Sequence, residues 1–213
     1  MIRALLFDMD GLIFDTEVLY KVSWQHAARQ QGLELNDDLY RTFIGVQDSE
    51  CERILSEHFR HLLDLRAFRT VRDQHFHRAR SQGVTFKPGF HAVFQMAKHQ
   101  GLTIALVTSS HRQEVERNFY QSDYLKQFDL IITAEDVLNG KPQPDCYLMA
   151  CAQLGIKPSQ CLVLEDSNNG MRAGKSAGCI AAMIPDMLLP DSDVKAEADY
   201  LFESLYDVLP LLS

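Results

Sequence analysis

Four short stretches of this 213-residue chain carry side chains that could do chemistry together. Asp8-Met9-Asp10-Gly11 sets two carboxylates at positions i and i+2, which on an extended chain point to the same side. Two carboxylates that close repel unless a cation or a proton lies between them. Asp-Gly is also a common turn dipeptide. Thr108-Ser109-Ser110 offers hydroxyls and backbone N–H groups that suit a phosphate, or that would cap a helix. Gly140-Lys141-Pro142-Gln143-Pro144-Asp145 holds one lysine in a backbone stiffened by two prolines, where its ammonium can neutralise an anion. Glu165-Asp166-Ser167-Asn168-Asn169-Gly170 places two carboxylates side by side, costly to desolvate unless paired. A hard cation such as Mg²⁺, which prefers oxygen ligands, would account for them. Asp166 or Ser167 also suits the first position of a helix.

All four stretches follow short apolar runs: Ile2–Phe7, Thr103–Val107, Leu130–Thr133 and Cys161–Leu164. Cys179–Ile184 and Tyr200–Phe202 are further runs of the kind that buried parallel strands show. Helical segments alternate with them: Phe90–His99, Arg112–Phe119, Asp145–Leu154 and Met171–Ala177, three of them followed by Gly101, Gly155 or Gly178. The alternation predicts an α/β protein, a Rossmann-like parallel sheet with helices on both faces. Ligands of open parallel sheets bind at the carboxyl ends of the strands. Acid-x-acid, hydroxyl, lysine and acid-acid then converge on one edge of one sheet.

Residues 16–82 break the alternation. Trp24, Ala27 and Ala28, then Ile54, Leu55, His58 and Leu62, recur at helical spacing with no strand between them. The spacing predicts a helical insertion after the first strand, with residues 1–14 and 83–213 forming the core and 15–82 a separate unit. Charge divides the same way: residues 15–82 carry a formal −1 and the remainder −7. The whole chain holds 21 basic and 29 acidic side chains, which argues against a nucleic-acid partner. Its 46% apolar and 23% charged residues are those of a globular protein. No run nears the roughly 18 apolar residues of a membrane helix, and Asp8 interrupts the apolar N-terminus before a signal peptide can form. Five cysteines without a CxxC pair predict reduced thiols and a cytoplasmic protein, read as a monomer.

With these motifs in place, the chain resembles the haloacid dehalogenase superfamily. The resemblance rests on Asp8-Met-Asp-Gly-Leu-Ile-Phe-Asp-Thr-Glu17, Thr108-Ser-Ser110, Lys141-Pro-Gln-Pro-Asp145 and Glu165-Asp-Ser-Asn-Asn-Gly170, and it spans nearly the whole chain. The branch is that of β-phosphoglucomutase and of sugar- or pseudouridine-phosphate phosphatases. The resemblance implies that the insertion is a cap that closes over the site and contacts the leaving group. It implies Asp8 as nucleophile, forming an aspartyl-phosphate, and Asp10 as general acid and base. It implies Mg²⁺ on Asp8, the Asp10 carbonyl and Asp166, with Glu165 acting through a metal-bound water. Phosphate would meet Thr108, the Ser109 amide, Ser110 and Lys141, and the Gly45-Val46-Gln47-Asp48 segment resembles the cap loop that reaches toward substrate, bringing in Gly45 and Gln47. The implied activity is Mg²⁺-dependent hydrolysis of a small phosphorylated metabolite, a sugar or nucleoside monophosphate.

Two departures bear on the reaction. β-Phosphoglucomutase-type relatives carry a His where this chain has Tyr20, and an Arg in the cap loop where it has Asp48. An Arg grips a second phosphate and an Asp repels one, so hydrolysis is expected over phosphosugar mutation. Dehalogenation is disfavoured because Asp10 has no alkoxide to protonate in it. A receiver domain also gathers carboxylates, a hydroxyl and a lysine, but its acceptor Asp does not open the first strand and it has no insertion. A catalytically silent phosphate-binding protein would be expected to lack one of the charged members. His75 and His77, two apart on a helix, do not share a face and are not expected to hold a metal. Arg66, Arg69, Arg72, Arg78 and Arg80 are expected on a solvated face. Cys146 and Cys151 are expected to be buried. The dinucleotide fingerprint G-x-G-x-x-G is absent from the sequence.

Overall fold

The computed structural model describes residues 1–43 and 48–212. It divides into two compact units, one of residues 1–15 and 85–213 and one of residues 16–84.

The first unit is built on a parallel sheet that, among the described residues, has six strands. They are β1 (Ala4–Phe7), β2 (Thr103–Val107), β3 (Leu130–Ile132), β4 (Cys161–Glu165), β5 (Ile180–Met183) and β6 (Tyr200–Leu201), in the order β3-β2-β1-β4-β5-β6. β1 and β4 are buried along their whole length, as continuous apolar runs in a sheet covered on both faces must be. Alternate residues Ala4, Leu6, Ala105, Val107, Cys161, Val163, Ala181 and Met183 form one apolar face. Cys146, Tyr147, Ala150 and Cys151 pack there from one helix, Met171 and Ala173 from another. On the other face Phe7 meets Phe90 and Phe94 edge to tilted, with ring centroids 5.9 and 6.5 Å apart.

The second unit is helical: α1 (Thr16–Gln30), α2 (Asp37–Arg41), α3 (Asp48–Phe59), a 3₁₀ turn at Arg60–Leu62, and α4 (Leu65–Ser81). Trp24, Ala27, Ala28, Tyr40, Leu55 and Phe68 are its buried centre. Arg72 and Arg80 do not lie on a solvated face as expected; both are buried. Arg72 is drawn in by Glu52, itself buried, at 3.1 Å and by Asp73 at 2.7 Å, and Arg80 lies over the Phe76 ring. Arg69 pairs with the other Glu52 oxygen at 2.5 Å.

The remaining helices belong to the first unit: α5 (Phe90–His99), α6 (Arg112–Asn118), α7 (Asp145–Leu154), α8 (Asn168–Ser176) and α9 (Ser192–Glu197). α8 starts three residues before its apolar periodicity does, because Ser167 caps it by accepting the Gly170 N–H at 3.0 Å. All five cysteines are buried and none forms a disulfide among the described residues. They are less scattered than the sequence suggests: the Cys151 sulfur is 3.5 Å from that of Cys161 and 3.8 Å from that of Cys179. No helix among the described residues is long and apolar enough to cross a membrane.

Candidate active site

From the central pair β1 and β4 the sheet grows outward both ways, to β2 and β3 on one side and to β5 and β6 on the other. Loops leaving such a pair part from each other and open a crevice at its carboxyl end. Register fixes who stands there. Phe7 pairs with Leu164, so Asp8 and Glu165 leave neighbouring strands side by side, and the Asp8 N–H donates to the Leu164 carbonyl at 3.0 Å.

Lys141 joins them. Its ammonium donates to Asp8 Oδ1 at 2.5 Å, to Glu165 Oε1 at 2.6 Å and to the Val107 carbonyl at 3.0 Å. Three strand ends, those of β1, β2 and β4, thus meet on one cation. Glu165 has no solvent exposure. Its Oε1 also accepts from the Tyr147 hydroxyl at 2.8 Å, and its Oε2 from the Ser167 hydroxyl at 2.9 Å and the Ser167 N–H at 3.2 Å. A buried carboxylate is tolerable when it is this fully hydrogen-bonded. Burial pushes the Asp8 carboxyl up, to about 7, with Lys141 pulling against it and Glu165 and Asp10 adding to it. Burial alone would lower the Lys141 ammonium, but the Asp8 and Glu165 charges outweigh it and hold Lys141 above its ordinary value, protonated.

Two glycines make room for the acids. A methyl group on Gly11, whose φ is +81°, would stand 2.1 Å from Asp166 Oδ2. One on Gly170 would stand 1.8 Å from Glu165 Oε1. Asp166 therefore lies over the turn that follows Asp10. Asp8, Glu165 and Asp166 each offer an oxygen, all within 4.8 Å of one another, and no other group of three or more such ligand residues gathers among the described residues. An all-oxygen donor set of this kind suits a hard divalent cation.

The hydroxyl segment sits beside the first acids. Ser110 donates its hydroxyl to Asp10 Oδ2 at 2.6 Å and its N–H to Thr108 Oγ1 at 3.0 Å. Thr108 is buried, and its own N–H is spent on the Ile132 carbonyl. None of these residues caps α6; His111 occupies that position. The Ser109 N–H and the Thr108 hydroxyl hydrogen have no acceptor among the described residues. Asp8, Asp10, Thr108, Ser109, Ser110, Lys141, Glu165 and Asp166 are thus brought together, whereas Gly45 and Gln47 lie outside the described residues. Tyr147 holds the site without having been singled out in the sequence, as does Gly170 beyond its place at the end of a motif, while Ser167, expected as a helix cap, caps α8 and also donates to Glu165. The available signal was a polar aromatic two residues past Asp145 on the buried side of α7, since a buried tyrosine hydroxyl needs a partner.

Comparison with known proteins adds three relatives. The model of the haloacid dehalogenase-like hydrolase family matches residues 5–184. A phosphorylated carbohydrates phosphatase of Thermotoga maritima is 33% identical over 176 residues, 83% of this chain and 82% of the relative. Hexitol phosphatase A of Escherichia coli is 32% identical over 214 residues, 97% of this chain and 93% of the relative. Among solved structures, a Thermotoga maritima protein described as a candidate β-phosphoglucomutase superposes with a TM-score of 0.84 at 30% identity, covering 99% of this chain and 98% of that one.

Proposed function

The chain belongs to the haloacid dehalogenase-like hydrolases, and on that premise we propose that it is a phosphatase acting on a small phosphomonoester, a sugar, alditol or nucleoside monophosphate, through an aspartyl-phosphate. The observation that carries this reading is the Asp8 carboxylate held by Lys141 at the sheet's switch point. An Asp8 oxygen attacks phosphorus in line with the ester oxygen, the P–O ester bond breaks, and Asp10 gives its proton to the departing alkoxide. Asp10 then takes a proton from the water that attacks the aspartyl-phosphate, releasing inorganic phosphate and restoring Asp8. Ser110 keeps the Asp10 carboxyl oriented through their 2.6 Å hydrogen bond. The unspent Thr108 hydroxyl and Ser109 N–H donate to the phosphoryl oxygens, and Lys141 keeps Asp8 aligned while offsetting charge on the transferring group.

Asp8, the Asp10 carbonyl and Asp166, with Glu165 behind them, are the residues that would hold Mg²⁺. When bound, the ion supplies positive charge against the phosphoryl oxygens. The helical unit takes the role of the cap that selects the leaving group.

The mutase reading draws on the likeness to a candidate β-phosphoglucomutase. Against it, Asp48 and Tyr20 are bonded to each other, Tyr20 Oη donating to Asp48 Oδ2 at 2.5 Å, with Arg72 3.5 Å from the same oxygen. The cation in this network is already matched by Asp48, Glu52 and Asp73, which leaves a poor grip for a second phosphate.

Turnover of p-nitrophenyl phosphate by wild type and Asp8→Asn, followed by a panel of phosphorylated metabolites scored by released phosphate, tests the proposal. Wild type is expected to release phosphate and Asp8→Asn to be inactive. Equal rates would remove Asp8 as nucleophile. Interconversion of hexose 1- and 6-phosphates without release would establish the mutase.

A further inference from the structure

An ammonium has three hydrogens, and in Lys141 all three are taken, by Asp8 Oδ1, Glu165 Oε1 and the Val107 carbonyl. Lys141 is therefore a bridge between the proposed nucleophile and a carboxylate without solvent access. How tightly it holds Asp8 depends on how much of it Glu165 claims. Glu165 Oε1 has two donors, Lys141 and the Tyr147 hydroxyl. Tyr147 is itself fully buried, and its ring lies under the same ammonium, with Nζ 5.1 Å from the ring centroid. A cation over an aromatic face is attracted to it, more so in a dry site. One side chain thus touches both ends of the Lys141–Glu165 pair, and it projects from α7, a helix anchored in the apolar core through Cys146, Ala150 and Cys151.

We infer that Tyr147 is a positioning residue for phosphoryl transfer. Its hydroxyl satisfies Glu165 and its ring seats Lys141, so that the ammonium stays centred on Asp8. The inference rests on the proposed role of Asp8. Without the hydroxyl, Oε1 is left with Lys141 as its single donor where no water reaches, and draws the ammonium toward itself at the expense of Asp8. Nothing in this arrangement touches the leaving group, so the effect falls on turnover and not on substrate affinity.

The test is Tyr147→Phe, which keeps the ring and removes the hydroxyl, assayed with p-nitrophenyl phosphate beside wild type. The expected result is a kcat lower by about tenfold, with KM changed by less than about twofold. The same substitution made in Glu165→Gln should cost a much smaller factor, because the hydroxyl acts through Glu165. Reading each factor within its own background, per folded molecule by circular dichroism, cancels a general loss of fold. p-Aminophenylalanine introduced at position 147 restores an N–H donor on an intact ring and is expected to recover most of the rate, which also covers the case in which Tyr147→Phe does not fold. A wild-type kcat in Tyr147→Phe, an equal loss in both backgrounds, a change in KM alone, or no recovery with p-aminophenylalanine would each overturn the inference. Absence of turnover by wild type would instead defeat the phosphatase reading on which it stands.

Discussion

Gly170 is the residue at which helix propensity and the buried network around Glu165 make opposite demands. In the first turns of a helix, Gly→Ala normally gains up to about 1 kcal/mol of helix propensity. Here the added methyl would stand 1.8 Å from Glu165 Oε1 and 2.2 Å from Oε2, so the carboxylate must move, and Lys141 with it. Gly170→Ala is expected to lower kcat by about a hundredfold, the cost of displacing a catalytic array by roughly an ångström. Steady-state kinetics on the purified variant would check this. Ser110 offers a second contrast. Its hydroxyl is spent on Asp10, so Ser110→Ala should lower kcat by about tenfold, a lost charge-assisted hydrogen bond, and leave KM nearly unchanged. A rise in KM at constant kcat would instead make Ser110 a phosphate ligand, the role its sequence position suggests. Legibility at this scale follows the chemistry. Asp8 and Asp10 are readable because acid-x-acid is unusual after an apolar run. Tyr147 and Gly170 are not, because what distinguishes them is a partner, Glu165, reached only through the packing of α7 and α8 against β4.

Among the elements, the strands announced themselves as apolar runs, since a doubly covered sheet leaves no room for alternation. The start of α8 was marked by its cap, Ser167, and not by periodicity, because its first turn, Asn168-Asn169-Gly170, is polar. The contact between α1 and α4 was hidden, and it carries a pH-dependent term. His26 and His75 stack across it with centroids 4.3 Å apart, and His75 Nδ1 lies 3.0 Å from the buried Ser23 hydroxyl. Burial, the His26 ring and the Arg29 and Arg78 charges hold His75 below its usual value of 6.5. In the folded state His75 therefore takes up its proton less readily than in the unfolded chain. Its neutral form costs nothing above 6.5, and stability falls as the pH drops from 6.5 through the lower folded value. The melting midpoint should decline over that interval, and His75→Phe should flatten the decline. Thermal scans by circular dichroism between pH 8 and 5 would show it, and parallel slopes for the two proteins would refute it.

For the molecule as a whole, the two units carry very different charge: residues 16–84 hold 10 basic and 10 acidic side chains, and the formal −8 lies in the other unit. Part of it is concentrated at the switch point, where Asp8 and Glu165 share Lys141 and Asp10 and Asp166 stand on the adjoining turns. Like charges so close oppose the compact state unless a cation compensates them. A divalent ion on Asp8 and Asp166 would therefore bind the folded chain in preference to the unfolded one and raise its stability by mass action, by about 2.7 kcal/mol at a hundred times the dissociation constant. Wild type is expected to melt several degrees higher in excess Mg²⁺ than in EDTA, with phosphatase activity lost on chelation. Asp166→Asn should remove the increment, because it strips one of the three carboxylates whose oxygens lie within 4.8 Å of one another. Since the measurement follows unfolding and not catalysis, it separates a metal-holding role for Asp166 from a purely chemical one. An unchanged Mg²⁺-dependent shift in Asp166→Asn would take Asp166 out of the metal site, and no shift in wild type would leave these acids without a shared cation, with compensation resting on Lys141 alone.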